Sequence, residues 1–226
     1  MLEKDYYATA RRWLKRHGCF ATGIDTGLAE ARIDAIGIKY VGGELSGKTE
    51  VVAIEVKRDA TRFGNKVGQA LGYSAYADRC YLADVRPSRR GFTDAELRLA
   101  SHLGVGLLTI TEDSRGRLNV TEVLTAPLGS PLDELRLQVV EKLGYSECTI
   151  CRSLFQRGEA DPGGFSRYVS RSGRRLGALK RAVHDERGFL YWLEESDTRN
   201  GRGTQLRHRR YLCPDCVWNL FRDFSE

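Results

Sequence analysis

No stretch of the chain approaches the roughly 18 consecutive apolar residues of a membrane-spanning helix, which excludes a membrane partner of that kind. The opening residues, MLEKDYYATARRWLKRHG, lack the apolar core and small-residue cleavage site of a secretory signal, so the expected compartment is cytoplasmic. No internal repeat or low-complexity tract stands out, which sets aside repeat arrays. The six cysteines are not spread like a disulfide framework. Cys19 and Cys80 stand alone, and the other four form two C-x-x-C pairs, Cys148/Cys151 and Cys213/Cys216. In a reducing compartment that arrangement points to metal before disulfides.

What is present is the composition of an ordinary globular protein: 226 residues, 41% hydrophobic and 29% charged. That is enough chain for one large domain or two small ones. The net charge of +6 mildly favours an anionic partner, since basic proteins bind nucleic acid by displacing phosphate counterions.

Residues 3–17 have helical spacing, with Tyr6, Ala10, Trp13 and Leu14 on one stripe and Gly18 as a C-terminal cap. RIDAIGIKY (32–40) and EVVAIEVK (50–57) are β-branched runs around a Gly-rich turn, the pattern of a hairpin. Helical spacing returns over 62–77, CYLADV (80–85) reads as a buried strand, and 93–104 opens with Thr and Glu three apart, a capping box. Strands over 105–111 and 117–124 follow. The expected fold is α/β, a mixed sheet flanked by helices, with a small zinc-binding domain behind it. A Pro- and Gly-rich break at 126–131 sets the expected division, a core over 1–127 and a linker helix plus Arg-rich domain over 128–226.

Gly42 to Thr49, GGELSGKT, spells the phosphate-loop pattern G-x-x-x-x-G-K-[ST]. Such a loop works by opening a helix whose amides point at the phosphates. Here Thr49 is followed by Val51, Val52, Ile54 and Val56, which favour a strand, so the match is one of spelling only.

Alternation along a strand puts Glu55 and Lys57 on one face at the end of an apolar run, and Asp34 interrupts the preceding run in the same way. Two carboxylates and a lysine are a coherent set for phosphodiester hydrolysis. Asp34 and Glu55 offer hard oxygen ligands to Mg²⁺ or Mn²⁺, while Lys57 would position or deprotonate the attacking water or stabilise developing charge. The competing reading is a solvated ion pair at a strand end.

These residues and the element order resemble the PD-(D/E)XK nuclease superfamily, with its restriction-endonuclease-like αβββαβ core, over roughly residues 1–125. The resemblance departs in one place, Ile33 standing where the fuller motif has Pro. It implies metal ligation by Asp34 and Glu55 and action of Lys57 at the water. It also implies a further metal ligand on the first helix, for which Glu3 is the candidate and Glu30 a competitor. Gln69 and Tyr73, four apart, are similar to the Q-x-x-x-Y of RecB-like members, which would have Gln69 orient Lys57, the water or a phosphate and Tyr73 contact DNA. Core packing is the other role open to Tyr73 and Tyr76. Many members act as dimers, so a homodimer is compatible with this reading.

Four thiolates from two knuckles suit one tetrahedral structural Zn²⁺, held by Cys148, Cys151, Cys213 and Cys216, although the intervening segment 152–212 is long for a zinc finger. Redox pairs and half-sites of a dimer are the alternatives. That segment is rich in arginine, Arg174 and Arg175 among them, a surface suited to phosphate contact. The expected function is a Mg²⁺-dependent deoxyribonuclease in repair, recombination or defence, with RNA as a further substrate class. A catalytically inactive DNA-binding or adaptor protein is the alternative.

Overall fold

A computed structural model describes residues 2–28, 30–42, 48–58, 62–87, 91–148, 150–156, 190–195 and 207–213, the last two largely as backbone. The chain divides into two units, Met1–Leu143 and Gly144–Glu226.

The first unit is a six-stranded mixed sheet flanked by helices. A 3-10 turn at Glu3–Tyr6 leads into α1 (Tyr7–Arg16). Three antiparallel strands follow, β1 (Cys19–Gly27), β2 (Arg32–Tyr40) and β3 (Thr49–Lys57). After α2 (Phe63–Gly72), β4 (Arg79–Val85) lies parallel to β3; after α3 (Asp94–His102), β5 (Gly106–Glu112) lies parallel to β4. The hairpin strand β6 (Leu118–Leu124) closes the sheet, and strand order follows chain order throughout.

Side-chain alternation divides the core into two layers. Val52, Ile54, Val56, Tyr81, Ala83, Leu108 and Ile110 meet Tyr6, Ala10, Trp13 and Leu14 on the α1 side. Leu82 and Leu107 meet Val67, Ala70 and Ala100 on the α2–α3 side. Two expected signals hold their elements as read: Gly18 ends the first helix with φ +85, and Thr93 with Glu96 forms a reciprocal capping box on α3. At the phosphate-loop spelling, Thr49 opens a strand, paired with Tyr40, and Gly43–Gly47 lie outside the described residues.

β1 is an element the sequence reading lacks. CFATGIDTG carries two glycines and an aspartate, residue types depleted in strands. As an edge strand it tolerates them, and Gly23 serves packing directly, because a Cβ there would come 2.9 Å from Leu143 Cδ2. α4 (Asp133–Lys142) ends the first unit, tied to it by Arg136, whose guanidinium donates to Asp78 Oδ2 at 3.1 Å and to the Thr49 carbonyl at 3.0 Å.

In the second unit, β7 (Tyr145–Glu147) pairs with β8 (Leu154–Gln156), and β9 (Leu190–Glu195) pairs with β10 (Arg207–Leu212), both antiparallel. Among the described residues no helix is long and apolar enough to cross a membrane.

Candidate active site and cysteine cluster

The β2–β3 ladder ends where Ala35 faces Ile54. One residue beyond, the side chain of Asp34 takes over the pairing: its Oδ2 accepts from the Val56 amide at 2.8 Å. The carboxylate is thereby fixed against β3 while being 7% exposed. Glu55, 5% exposed, projects from β3 toward the α2 side, in register with Leu82 of that layer. Lys57 follows on the same side and sets its Nζ 2.6 Å from Glu55 Oε1 and 3.3 Å from Glu3 Oε1. The structure thus brings Asp34, Glu55, Lys57 and Glu3 together. Glu3 meets the ammonium, and Glu30, its competitor, is exposed.

Two phenols complete the group. Tyr73 donates from its hydroxyl to Glu55 Oε2 in a short hydrogen bond and lies 2.8 Å from the Arg32 carbonyl oxygen. Tyr7, at the start of α1, hydrogen-bonds Asp34. The sequence reading passes over Tyr7. Its spacing gives no signal, because Glu3 lies in the 3-10 turn and Tyr7 opens the α-helix after it. Gln69 and Tyr73 do not share an environment. Tyr73 is 7% exposed, whereas Gln69 is exposed on α2 and joins no described hydrogen bond of the cluster. Tyr73 opens the 3-10 turn Tyr73–Ala75 directly after α2 ends at Gly72.

The electrostatics follow from burial. Burial pushes Asp34 up to about 6, reinforced by the neighbouring Glu55 charge and opposed by the Tyr7 and Val56 hydrogen bonds and by Lys57. Burial also disfavours the Lys57 ammonium, but Glu55 and Glu3 outweigh it and hold the group above its ordinary value. Lys57 is therefore a cation at neutral pH, suited to stabilising negative charge rather than to removing a proton. Both phenols are raised, first by burial and then by the carboxylates they face, and remain donors. Asp84, in register with Lys57 on β4, is already committed: Lys66 Nζ lies 2.9 Å from one oxygen and Arg86 Nε 2.8 Å from the other.

The site's donor set fits a hard divalent cation. Asp34 and Glu55 are both buried, the Glu55 charge adds to the burial that raises Asp34, and a divalent cation held by the two would offset both effects.

In the second unit, the Sγ atoms of Cys148, Cys151 and Cys213 all lie within 4.8 Å of one another, close enough to hold a metal ion together. Cys151 and Cys213 are 3.5 Å apart. Burial works against the Cys151 thiolate, but hydrogen bonds with Ser153, Cys213 and Cys148 prevail and bring the thiol down to about 6. Cys216, Arg174 and Arg175 lie outside the described residues.

No protein-family profile matches the chain, and no curated protein matches it. Among solved structures, SfsA of Pyrococcus furiosus in complex with Ca²⁺ is similar over 56% of this chain and 62% of its own length, at 13% identity and a TM-score of 0.26. The chain thus spans about three-fifths of that protein.

Proposed function

We propose that this protein is a divalent-metal-dependent nuclease that hydrolyses phosphodiester bonds in DNA, on a core of the restriction-endonuclease type. The observation that carries the reading is the convergence of buried Asp34 and Glu55, from two different strands, with the Lys57 ammonium 2.6 Å from Glu55. A structural ion pair at a strand end needs no second buried carboxylate, and a protein keeps such an arrangement at a stability cost.

Asp34 and Glu55 would hold Mg²⁺ or Mn²⁺, which supplies Lewis acidity and lowers the pKa of an attacking water. The chain's own groups do the rest. Val56 N–H and Tyr7 hold Asp34, Tyr73 holds Glu55, and Lys57 presents fixed positive charge where negative charge grows on the phosphate. Glu3 offers the Lys57 ammonium a second carboxylate at 3.3 Å. DNA as substrate is supported by the net charge of +6 and the arginine-rich sequence of the second unit. Cys148, Cys151 and Cys213, joined by Cys216, would form a structural Zn²⁺ site of four thiolates.

The test is cleavage of linear, circular and branched DNA with Mg²⁺ or Mn²⁺, comparing the wild type with Asp34→Ala and Lys57→Ala. The reading expects cleavage by the wild type alone, with DNA binding retained in both variants. Binding without cleavage in all three proteins would instead support a DNA-binding or adaptor protein.

A further inference from the structure

Tyr73 holds a position that the contact with DNA expected of it does not explain. Its ring is 7% exposed, and its backbone carbonyl accepts from the amides of Tyr76 at 2.9 Å and Ala77 at 3.0 Å, which fixes the turn that carries it. Its hydroxyl lies between two acceptors of different kinds, the Glu55 carboxylate and the Arg32 main-chain carbonyl. A phenol has one proton and so satisfies one of them at a time. Arg32 begins β2, two residues before Asp34, and its guanidinium is drawn outward to Asp25 at 3.2 Å, while its carbonyl faces the hydroxyl of Tyr73.

We propose that Tyr73 is a positioning residue with two settings: it donates to Glu55 in the empty site and turns its hydroxyl to the Arg32 carbonyl when a divalent cation takes that carboxylate. This rests on the nuclease reading above. The need for a second acceptor is physical. A cation held by Glu55 would compete with the phenol for that carboxylate, and a hydroxyl turned away with no other acceptor would be a buried donor without a partner. The Arg32 carbonyl lies 2.8 Å away, so rotation about a single bond makes the exchange, with no movement of ring or backbone. No proton changes owner. The hydroxyl therefore aims the carboxylate before the metal arrives and gives way once it is bound. Loading exchanges a charge-assisted bond to Glu55 for a neutral one to a carbonyl, so the first setting opposes metal binding by the difference between the two.

The experiment is a Mn²⁺ titration of the full chain, following free Mn²⁺ by its paramagnetic resonance, for wild type, Tyr73→Phe, Tyr76→Phe and Asp34→Asn, with thermal unfolding of each. Tyr73→Phe is expected to tighten Mn²⁺ binding several-fold, because phenylalanine has no charge-assisted bond to Glu55 to give up, while Tyr76→Phe, a buried neighbour outside the cluster, leaves it unchanged. Weaker binding by Tyr73→Phe would show a bond kept in the loaded site and would overturn the two settings. A lower unfolding midpoint with unchanged affinity would show Tyr73 to be core packing only and would overturn the proposal. Should Tyr73→Phe not fold, the wild type still decides. With tyrosine labelled at Cζ, saturating Mg²⁺ should shift the resonance of a solvent-protected phenol, and no shift would overturn it. If the wild type binds no Mn²⁺ that Asp34→Asn removes, the nuclease reading itself fails and this proposal with it.

Discussion

Asp34→Asn should make the metal-free protein more stable at neutral pH. Asp34 is held at about 6 against an ordinary 3.8, chiefly by burial. A carboxyl raised in this way binds a proton more readily in the folded than in the unfolded chain, so stability falls as pH rises from about 4 to about 6 and stays reduced above. Taken whole, a shift of that size corresponds to about 3 kcal/mol; partial access of solvent to the carboxylate reduces the recoverable part to about 1–2 kcal/mol. Asparagine keeps the geometry. Its amide oxygen accepts from Val56 N–H, and its amide nitrogen can donate to the hydroxyl of Tyr7, which accepts as readily as it donates. The assay is urea unfolding in the presence of a chelator, at pH 7.5 and pH 4, for wild type and Asp34→Asn. The variant should be the more stable at pH 7.5 by that margin, and the difference should shrink at pH 4. Equal or lower stability of the variant at pH 7.5 refutes the account, because the buried charge would then be no burden. Adding Mg²⁺ should stabilise the wild type and leave the variant unmoved.

Four further outcomes follow from local geometry. Gly106→Ala should destabilise by roughly 3 kcal/mol, since a Cβ there would sit 2.5 Å from the Tyr81 ring and 2.6 Å from the Ala126 amide. Gly68→Ala, with open space at its Cβ inside α2, should instead stabilise by roughly 0.5–1 kcal/mol, and urea midpoints measure both. Glu50 is held below its ordinary 4.5, first by the Arg79 hydrogen bonds and then by Lys39. Its stabilising contribution is thus complete above about 4.5 and lost as pH falls through the lower folded value, so Glu50→Gln should flatten the acid limb of stability between pH 5 and pH 3. Iodoacetamide at pH 7 should label Cys151 well before Cys19 and Cys80, whose thiols burial pushes up to about 11 and about 12; peptide mapping with and without added Zn²⁺ checks this, with Zn²⁺ protecting Cys151.

Much of the sheet was legible because its central strands are apolar runs, rich in β-branched residues in β3. In RIDAIGI and VVAIEVK a single carboxylate is conspicuous against the apolar run, and that contrast singles out Asp34 and Glu55. Caps were legible for a related reason: Gly18 and the Thr93–Glu96 box act through their immediate neighbours in the chain. β1 was not, because an edge strand need not satisfy the composition of a buried one. The phenols were illegible for another reason. Tyr7 and Tyr73 are brought to the carboxylates by the path of whole helices, and nothing in their local spacing distinguishes a tyrosine that holds a carboxylate from one that fills a core.

The strictly serial strand order has a bearing on how the protein is made. Each strand of the six-stranded sheet from β2 to β6 pairs with the strand synthesised just before it, so a chain emerging from the ribosome never waits for a distant partner to complete that sheet. Glu3, Tyr7, Asp34, Glu55, Lys57 and Tyr73 all precede β4. Every group of the candidate site has thus left the tunnel before the parallel half of the sheet exists, and the buried charges of that site are enclosed by what is added afterwards.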